Sequence, residues 1–418
     1  MKNKPIQIFS DFTSPRLTYV LDFIFENKGI SYEIVHSLGT TNHTPDIIYS
    51  TEINSNSQSI QASGLLSETN IKTHWKVAFD HKRQNWTIND IKDDFAIIFY
   101  FLSRYEEYTD KTRDNYDRFT AAQSILMKEN QLHLPWCDLL VKSLWEKLGL
   151  DTNTLTKRYK TILTYDIDIA WAVKHKPIWR QSLNIVKSIT KPTALRERIA
   201  ILRNKQNDPY DSYQIIKENA KVHPTILFFL LGNYGSLDKN HPHTNSALQK
   251  LVQSFKGIAE LGIHPSFQSY GNTKMVKEEQ NRLANIINQP VNKSRQHFLR
   301  LKLPETYQIL NNIGISEDFS MGYAEHFGFR AATSFPFHFF DLSTNQKTTL
   351  KVVPFTFMDG TLKEYMTLSP EAAINVIEQL QIVIKSVGGQ FVALWHNHSI
   401  SNQKEWKGWQ KVYKACIT

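Results

Sequence analysis

Residues 161–171, TILTYDIDIAW, hold the pattern on which the predicted fold rests. The apolar and β-branched run 162–165 predicts a buried strand that ends in the acids Asp166 and Asp168. Because side chains on a strand alternate between its two faces, these two carboxylates point the same way. Like charges held close are costly unless a cation or a shared proton compensates them. Alternatively, the two acids belong to a turn and cap a following helix.

Strand-like and helical segments alternate from this stretch to the end of the sequence. Strands are predicted at 161–165, 225–231, 261–264, 296–301, 315–320, 329–332, 350–357 and 391–395. Helices are predicted at 211–221, 245–260, 276–288, 304–312 and 369–385. The alternation indicates an α/β fold, a deformed (β/α) barrel of seven or eight parallel strands joined by crossover helices. An open doubly wound sheet is the alternative, but no glycine-rich fingerprint follows any strand, so a dinucleotide is not expected.

The N-terminal third predicts a smaller α/β domain of unknown role. Short strand-like pieces alternate there with polar connections, and helices are predicted at 17–27, 93–108 and 132–149. Since 418 residues exceed one typical domain, we expect a division into residues 1–155 and residues 156–418. Arg104, Glu106 and Glu107 predict a local ion-pair network rather than a site.

The composition is that of an ordinary folded protein, with 41% hydrophobic and 21% charged residues. The N-terminus lacks the apolar run of a secretory signal, and no stretch approaches the length of a transmembrane segment. The two cysteines, Cys137 and Cys416, show no metal-binding spacing and suit a reducing compartment. We therefore expect a cytoplasmic protein.

The net charge of +9 is unevenly distributed, and the basic segment 174–205 contains Glu197 as its only acid. Such a run either forms a solvated helix face or binds a polyanion, and we favour the solvated face. Nucleic acid is not an expected partner, because the sequence has no zinc-finger spacing, aromatic RNA-binding motif or helix-turn-helix pattern. A peripheral contact of 174–205 with an anionic membrane or carrier is the alternative.

Ionisable side chains recur at the ends of the predicted strands. They are Asp166 and Asp168, then His264, Arg295 with His297, Arg330, and His396 with His398. A single buried histidine is most often a satisfied core residue, but that explanation would have to hold independently at five strands. Because functional groups of a barrel gather where its strands end, we predict one shared site.

In their order along the chain, these segments resemble the motifs of the polysaccharide deacetylases. These metal-dependent carbohydrate esterases remove N- or O-acetyl groups from chitin-like and peptidoglycan sugars. TYDID resembles the first motif in its acid-x-acid form, and GIHPS, GFR and LWH resemble later ones. LSRYEEY and DPYDSY are similar to segments of a bacterial subgroup that carries a small α/β domain before the barrel.

The resemblance implies a role for each matching residue. Asp166 is implied as general base and His396 as general acid, with Arg330 orienting Asp166. Asp168 and His264 are implied as ligands of a divalent metal, which would be zinc or else cobalt, nickel or manganese. Such a cation acidifies a bound water, a carboxylate takes the proton and an imidazolium protonates the leaving group. The implied substrate is an acetylated sugar or glycan precursor.

The sequence departs from the family at the second motif, which normally supplies two histidines four residues apart. Gln268 stands at that distance from His264, and an amide is a poor zinc ligand. We predict that the site is rebuilt with His297, on the neighbouring strand, as the replacement ligand. The alternatives are a substrate-contacting or core role for His297 and a site that holds its metal weakly. If no metal is held, the chain is a catalytically silent carbohydrate-binding or scaffold protein; an amidohydrolase of non-sugar amides is a third interpretation.

Three further residues are predicted to contact the substrate. Arg295 shares a strand face with His297, Ser266 belongs to the HPS segment, and Trp395 adjoins the implied acid and offers a flat face to a sugar ring. A cytoplasmic location favours a nucleotide-linked, lipid-linked or oligosaccharide intermediate over finished cell wall or external chitin.

Overall fold

The structure is a computed structural model that describes residues 4–36, 45–52, 59–177 and 192–417. Its strands, labelled β1 to β15 in chain order, are Ile6–Ser10, Tyr32–Val35, Ile47–Ser50, Ser59–Gln61, Val77–Asp80, Asn85–Ile88, Lys160–Ile167, Thr225–Phe229, Glu260–Ile263, Lys293–Ser294, Glu317–Asp318, Phe337–Asp341, Gln346–Val352, Phe357–Met358 and Gln390–His396. Its α-helices are Pro15–Ile24, Asp94–Leu102, Tyr105–Thr109, Ile125–Lys128, Trp136–Lys147, Asn153–Thr156, Pro192–Leu202, Tyr213–Asn219, Ser246–Gln253, Thr273–Ile287, Glu305–Asn312, Pro370–Val387 and Gln410–Ala415.

The N-terminal part is built on a four-stranded parallel sheet in the order β2-β1-β3-β4. Its first helix, Pro15–Ile24, begins at Ser14, whose side chain accepts a hydrogen bond from the amide of Leu17. Proline at the first helical position costs nothing, because its missing N–H would have no partner there. Helix Asp94–Leu102 is apolar all round and packs against Pro15–Ile24 and Trp136–Lys147, which explains its burial.

The helix predicted at 93–108 is broken at Arg104, whose φ of 54° lies in the left-handed region. The chain therefore forms two helices, Asp94–Leu102 and Tyr105–Thr109. The break directs the guanidinium of Arg104 inward, where it meets Glu106 and Glu107. The predicted ion-pair network is confirmed, and it lies inside the protein.

A nine-stranded sheet occupies the C-terminal part, in the order β12-β13-β11-β10-β9-β8-β7-β15-β14. All neighbouring pairs are parallel except β12 with β13, so eight parallel strands match the predicted number. Among the described residues β12 and β14 are outer strands, and closure of the sheet into a barrel is not shown. The predicted central strand at 161–165 is confirmed as β7, which is buried between β8 and β15.

Two predicted strands are wrong. Residues 296–301 contain the 3₁₀ turn His297–Leu299, and residues 329–332 form a buried loop. That loop is bonded to the N-terminal part, since Phe329 donates its amide proton to the carbonyl of Leu132. The apolar pattern at 329–332 reflects burial in a loop rather than in a strand. The antiparallel hairpin of β12 and β13 forms this edge of the sheet instead.

One continuous apolar core runs from Ile8 to Cys416 and crosses the predicted boundary near residue 155. The division into two domains stays a prediction. Of the basic segment 174–205, residues 178–191 lie outside the described residues, and its contact with a membrane or carrier also stays a prediction. In the described parts of the chain, no helix combines the length and apolarity needed to cross a bilayer.

Candidate active site

A cavity of about 230 Å³ opens where β7, β9 and β15 end. The strand register brings distant residues to this edge, because His396 on β15 pairs with Asp166 on β7, and His264 directly follows β9. The ionisable groups in its walls include Asp166, Asp168, His264, His297, His396 and His398. The sheet therefore places most of the predicted site residues at one cavity.

Asp168, His264 and His297 form a cluster that could hold a metal ion. One potential ligand atom from each lies within 4.8 Å of the others. His264 Nε2 is 3.2 Å from Asp168 Oδ1, and His297 Nε2 is 3.7 Å from Asp168 Oδ2. One carboxylate and two imidazoles with open positions are a donor set that suits zinc and related divalent metals.

The hydrogen bonds around this cluster support a cation between its members. His264 Nδ1 lies 2.6 Å from the carbonyl oxygen of Arg295, and His297 Nδ1 lies 2.9 Å from Asp238 Oδ1. Each ring therefore commits Nδ1 to an acceptor and leaves Nε2 to bind a metal, the usual arrangement of ligating histidines. Asp168 Oδ1 is buried without a hydrogen-bond partner, so the residues fit a bound cation.

The carboxylates and imidazoles of the cluster stabilise each other's charged forms. Burial raises the pKa of Asp168, but the neighbouring imidazoles outweigh it and hold this pKa far below its usual range. Burial lowers the pKa of His264, but Asp166 and Asp168 outweigh it and raise this pKa above its usual value. The two shifts are reciprocal, because the imidazoles favour the charged form of Asp168 and the carboxylates favour the charged form of His264.

Asp238 is a residue of the candidate site that the sequence analysis missed. Its buried carboxylate accepts hydrogen bonds from His297 Nδ1 at 2.9 Å, from the Phe267 amide at 2.8 Å and from the Gln268 amide at 3.2 Å. Gln268 thus contributes its backbone to holding Asp238, which in turn orients the replacement histidine. Asp238 follows β8 in the chain, and its place after a parallel strand was the available signal.

Arg295, rather than Arg330, is the arginine that contacts Asp166. Its Nη1 donates to Asp166 Oδ1 at 2.9 Å, its Nη2 to Thr164 Oγ1 at 2.8 Å and its Nε to the carbonyl of Phe319 at 2.9 Å. The side chain is fully buried beneath the cavity floor, so the predicted substrate contact of Arg295 is wrong. Its guanidinium offsets and orients the Asp166 carboxylate.

Arg330 does not reach Asp166, and its predicted role is wrong. Its Nε and Nη2 donate to the two carboxylate oxygens of Glu107 at 2.9 and 2.7 Å, and its Nη1 donates to the carbonyl of Gly322 at 3.1 Å. Glu107 also accepts a hydrogen bond from Arg104 at 2.8 Å. Arg330 therefore joins the buried ion-pair network rather than the cavity.

His396 and Asp359 form an imidazole–carboxylate pair at the cavity. His396 Nδ1 lies 2.8 Å from Asp359 Oδ1, and the His396 amide donates to Asp359 Oδ2 at 2.7 Å. Burial lowers the pKa of His396, but Asp359 first and then Asp168 outweigh it and raise this pKa to about 10. The Nε2 atom of His396 lies 3.7 Å from Asp168 Oδ2, on the cavity side.

His398 lies beside this pair. Burial and the nearby charge of His396 lower the pKa of His398 to about 4, so its ring is neutral near pH 7. It lines the cavity, as does Trp406, and their rings are 5.8 Å apart.

Two predicted substrate contacts are wrong. Trp395 is fully buried and packs edge-on against Tyr413 with ring centroids 5.2 Å apart. Since neighbouring strand residues face opposite sides, Trp395 must point away from the cavity when His396 points into it. Ser266 is also buried, and its hydroxyl donates to Glu279 Oε1 at 2.5 Å.

Comparisons with known proteins give one matching family and a set of loosely similar solved structures. Residues 6–152 match a group described as "Family of unknown function (DUF7033)". The chain matches no curated protein. Among solved structures, a putative polysaccharide deacetylase from Mycobacterium smegmatis aligns over 62% of this chain and 82% of its own, with 13% identity and a TM-score of 0.37.

Two further structures align equally loosely. A probable polysaccharide deacetylase from Pseudomonas aeruginosa PAO1 covers 62% of this chain and 83% of its own, with 8% identity and a TM-score of 0.39. Puue allantoinase covers 62% and 82%, with 8% identity and a TM-score of 0.37. The geometry of the site must therefore carry the assignment of function.

Proposed function

We propose that the chain is a metal-dependent hydrolase that removes an acetyl group from an N-acetylated or O-acetylated sugar. One observation carries the proposal. The metal-ligand cluster of Asp168, His264 and His297 shares its cavity with a candidate base, Asp166, and a candidate acid, His396. Deacetylation needs these three elements together.

Asp168, His264 and His297 would hold the metal, with zinc as the first candidate and cobalt, nickel or manganese as the others. When bound, a divalent metal supplies a Lewis acid that polarises the acyl carbonyl and acidifies water. The chain's own contribution is to fix the two imidazoles, through the Arg295 carbonyl and the Asp238 carboxylate, so that Nε2 of each faces Asp168.

Asp166 would accept the proton of the attacking water. Arg295 holds its Oδ1, while its Oδ2 lies 3.7 Å from His264 Nε2, next to the metal-ligand cluster. Because Thr164 and the Phe319 carbonyl fix the guanidinium in turn, the carboxylate is held in one orientation before substrate binds.

His396 would protonate the departing amine or alcohol. The Asp359 carboxylate accepts from both the ring and the backbone of His396 and fixes the imidazole with Nε2 toward the cavity. The raised pKa keeps a proton on this ring near neutral pH, as a general acid requires.

The remaining walls suit an acetylated sugar. Leu299, Ala324 and Met358 offer an apolar surface for the acetyl methyl group, and Tyr365 and Trp406 offer aromatic faces for the ring. We also propose that the natural substrate is a cytoplasmic glycan precursor. This part of the proposal rests on the reducing compartment that the two free cysteines suit.

Elemental analysis of the purified protein, combined with acetate release from a panel of acetylated sugars, tests the proposal. We expect bound divalent metal and acetate release from at least one sugar. The variant Asp166→Asn should keep its metal and lose activity by about 10²- to 10⁴-fold. A protein that binds acetylated sugars but contains no metal and releases no acetate would be the silent carbohydrate-binding alternative.

A further inference from the structure

The turn that carries His297 has an unusual backbone. Phe298 and Leu299, the two residues after His297, have φ angles of 58° and 53°. Left-handed backbone is unfavourable for residues with large side chains, so such a turn persists only where its surroundings hold it. On one side it is held within its own half of the chain, since the His297 amide donates to the Pro265 carbonyl at 3.1 Å.

On the other side the turn is held by the N-terminal part of the chain. Arg118 Nη1 donates to the carbonyl of Phe298 at 3.1 Å, and Arg300 Nε donates to the carbonyl of Tyr116 at 2.8 Å. The rings of Tyr116 and Phe298 also lie 5.3 Å apart. Two hydrogen bonds and a ring contact thus bracket the turn from residues about 180 positions earlier in the chain.

The segment that makes these contacts is held by hydrogen bonds of its own. Asp114 accepts the amide protons of Tyr116 at 2.8 Å and Arg118 at 2.9 Å, and it pairs with Arg118 Nη2 at 2.7 Å. The hydroxyl of Tyr270 donates to Asp117 at 2.8 Å and ties the segment to the chain just after the turn Phe267–Ser269. Arg118 is 7% exposed, so its guanidinium is held in place by packing as well.

We propose that segment 114–118 positions His297 for metal binding by clamping the turn His297–Leu299, with Arg118 as the main positioning residue. The inference rests on the proposed metal site. It gives a task to the N-terminal region, residues 6–152, which matches a family of unknown function. Because Gln268 stands where a second histidine is expected, the ligand comes instead from a turn with an unfavourable backbone, and the clamp supplies part of its support.

Metal affinity of Arg118→Met tests the proposal, with Co²⁺ as the probe. Methionine keeps part of the apolar stem but cannot donate to the Phe298 carbonyl. We expect Co²⁺ to bind about 10- to 100-fold more weakly in competition with a chelator, as when partners of ligating residues are removed. The visible spectrum of bound Co²⁺ should change because one histidine is displaced, and the amides of 297–299 should exchange faster. Arg118→Lys, which can still donate one hydrogen bond, should recover part of the affinity.

Arg113→Met is the matched control, because Arg113 lies in the same region but donates to the carbonyls of Asp110, Thr112 and Glu107. It should leave the affinity and the spectrum unchanged. If Arg118→Met does not fold, Tyr270→Phe removes one hydroxyl from the clamp and should shift both readouts in the same direction by less.

His297→Ala, measured in parallel, separates the two proposals. Undiminished Co²⁺ affinity in His297→Ala overturns the proposed metal site itself. Weakened affinity in His297→Ala together with wild-type affinity, spectrum and exchange in Arg118→Met leaves the metal site standing and overturns the clamp.

Discussion

Two buried groups of charged side chains in this protein differ in how completely they are paired. The first, which we call the paired cluster, consists of Arg104, Glu106, Glu107 and Arg330. Arg104 donates hydrogen bonds to both acids, and Arg330 donates two to Glu107. The Ser124 hydroxyl and the Ile125 amide donate the remaining hydrogen bonds to the Glu106 carboxylate.

The second, the converging cluster, consists of Asp166, Asp168, His264, His297 and His396. Here three Nε2 atoms point toward the carboxylate of Asp168, and Asp168 Oδ1 has no hydrogen-bond partner. Both clusters are buried and rich in charge, so neither property identifies a functional site. The clusters differ in how far their polar atoms are satisfied: the paired cluster satisfies its own charges, whereas the converging cluster leaves a buried carboxylate oxygen that a bound cation would satisfy.

The largest expected effect comes from Asp168→Asn, which removes the charge on which the converging cluster is centred. Because the metal contributes several kcal/mol to catalysis, we expect acetate release to fall about 1,000-fold and the metal to be lost. Elemental analysis and activity assays measure both. Glu364→Gln, in the wall of the same cavity, is the control and should keep the metal. Full metal content in Asp168→Asn would contradict the assignment of this ligand.

The paired cluster should respond in stability instead. Arg330→Met leaves Glu107 with half of its compensation in a buried site, which typically costs about 3–5 kcal/mol. Chemical denaturation measures this loss, and the metal content of the folded fraction should not change. Replacing both partners, in Glu107→Leu with Arg330→Met, should cost less than the sum of the two single changes. A folded Arg330→Met protein that had lost its metal would show that the two clusters are not separate.

Smaller effects should distinguish the two imidazole–carboxylate pairs of the site. Asp238→Asn weakens the support of His297, and we expect metal affinity to fall about tenfold. Asp359→Asn weakens the support of His396, so it should lower acetate release while leaving metal affinity unchanged. Chelator competition and activity assays on both variants test this expectation. An equal loss of metal affinity in the two variants would refute the assignment of His297 as metal ligand and His396 as general acid.

The smallest effect concerns pH and His398. The folded protein lowers the pKa of His398 to about 4, so the unfolded chain binds its proton first as the pH falls below about 6.5. This contribution to stability is therefore lost progressively from pH 6.5 down to about 4. Between pH 6.5 and 5.5, His398→Gln should lose roughly 1 kcal/mol less stability than the wild type. Equal losses in chemical denaturation would refute this account of His398.

The sequence predicted the features that depend on local periodicity. The strand at 161–165 and the shared direction of Asp166 and Asp168 follow from alternation within a few residues, and the structure confirms both. The convergence of His264, His297 and His396 followed from the rule that parallel strands end at one edge, although His297 lies on a turn rather than on a strand.

Partners that lie far apart in the chain were not predictable in this way. The resemblance implied the wrong arginine for Asp166, and nothing local in the sequence links Glu107 to Arg330 or pairs Asp238 with His297. The error at Trp395 was avoidable, since the alternation that predicted the acids also requires Trp395 to face away from His396.

The bond between Glu107 and Arg330 spans 223 positions and joins the N-terminal region to the sheet that carries the site. This ion pair has an evolutionary consequence. If one of the two residues is replaced, the other is left as an unpaired buried charge, so we expect the two positions to covary among relatives. A chimera that takes its first 155 residues from one relative and the remainder from another should fold only where the donors agree at both ends of this bond.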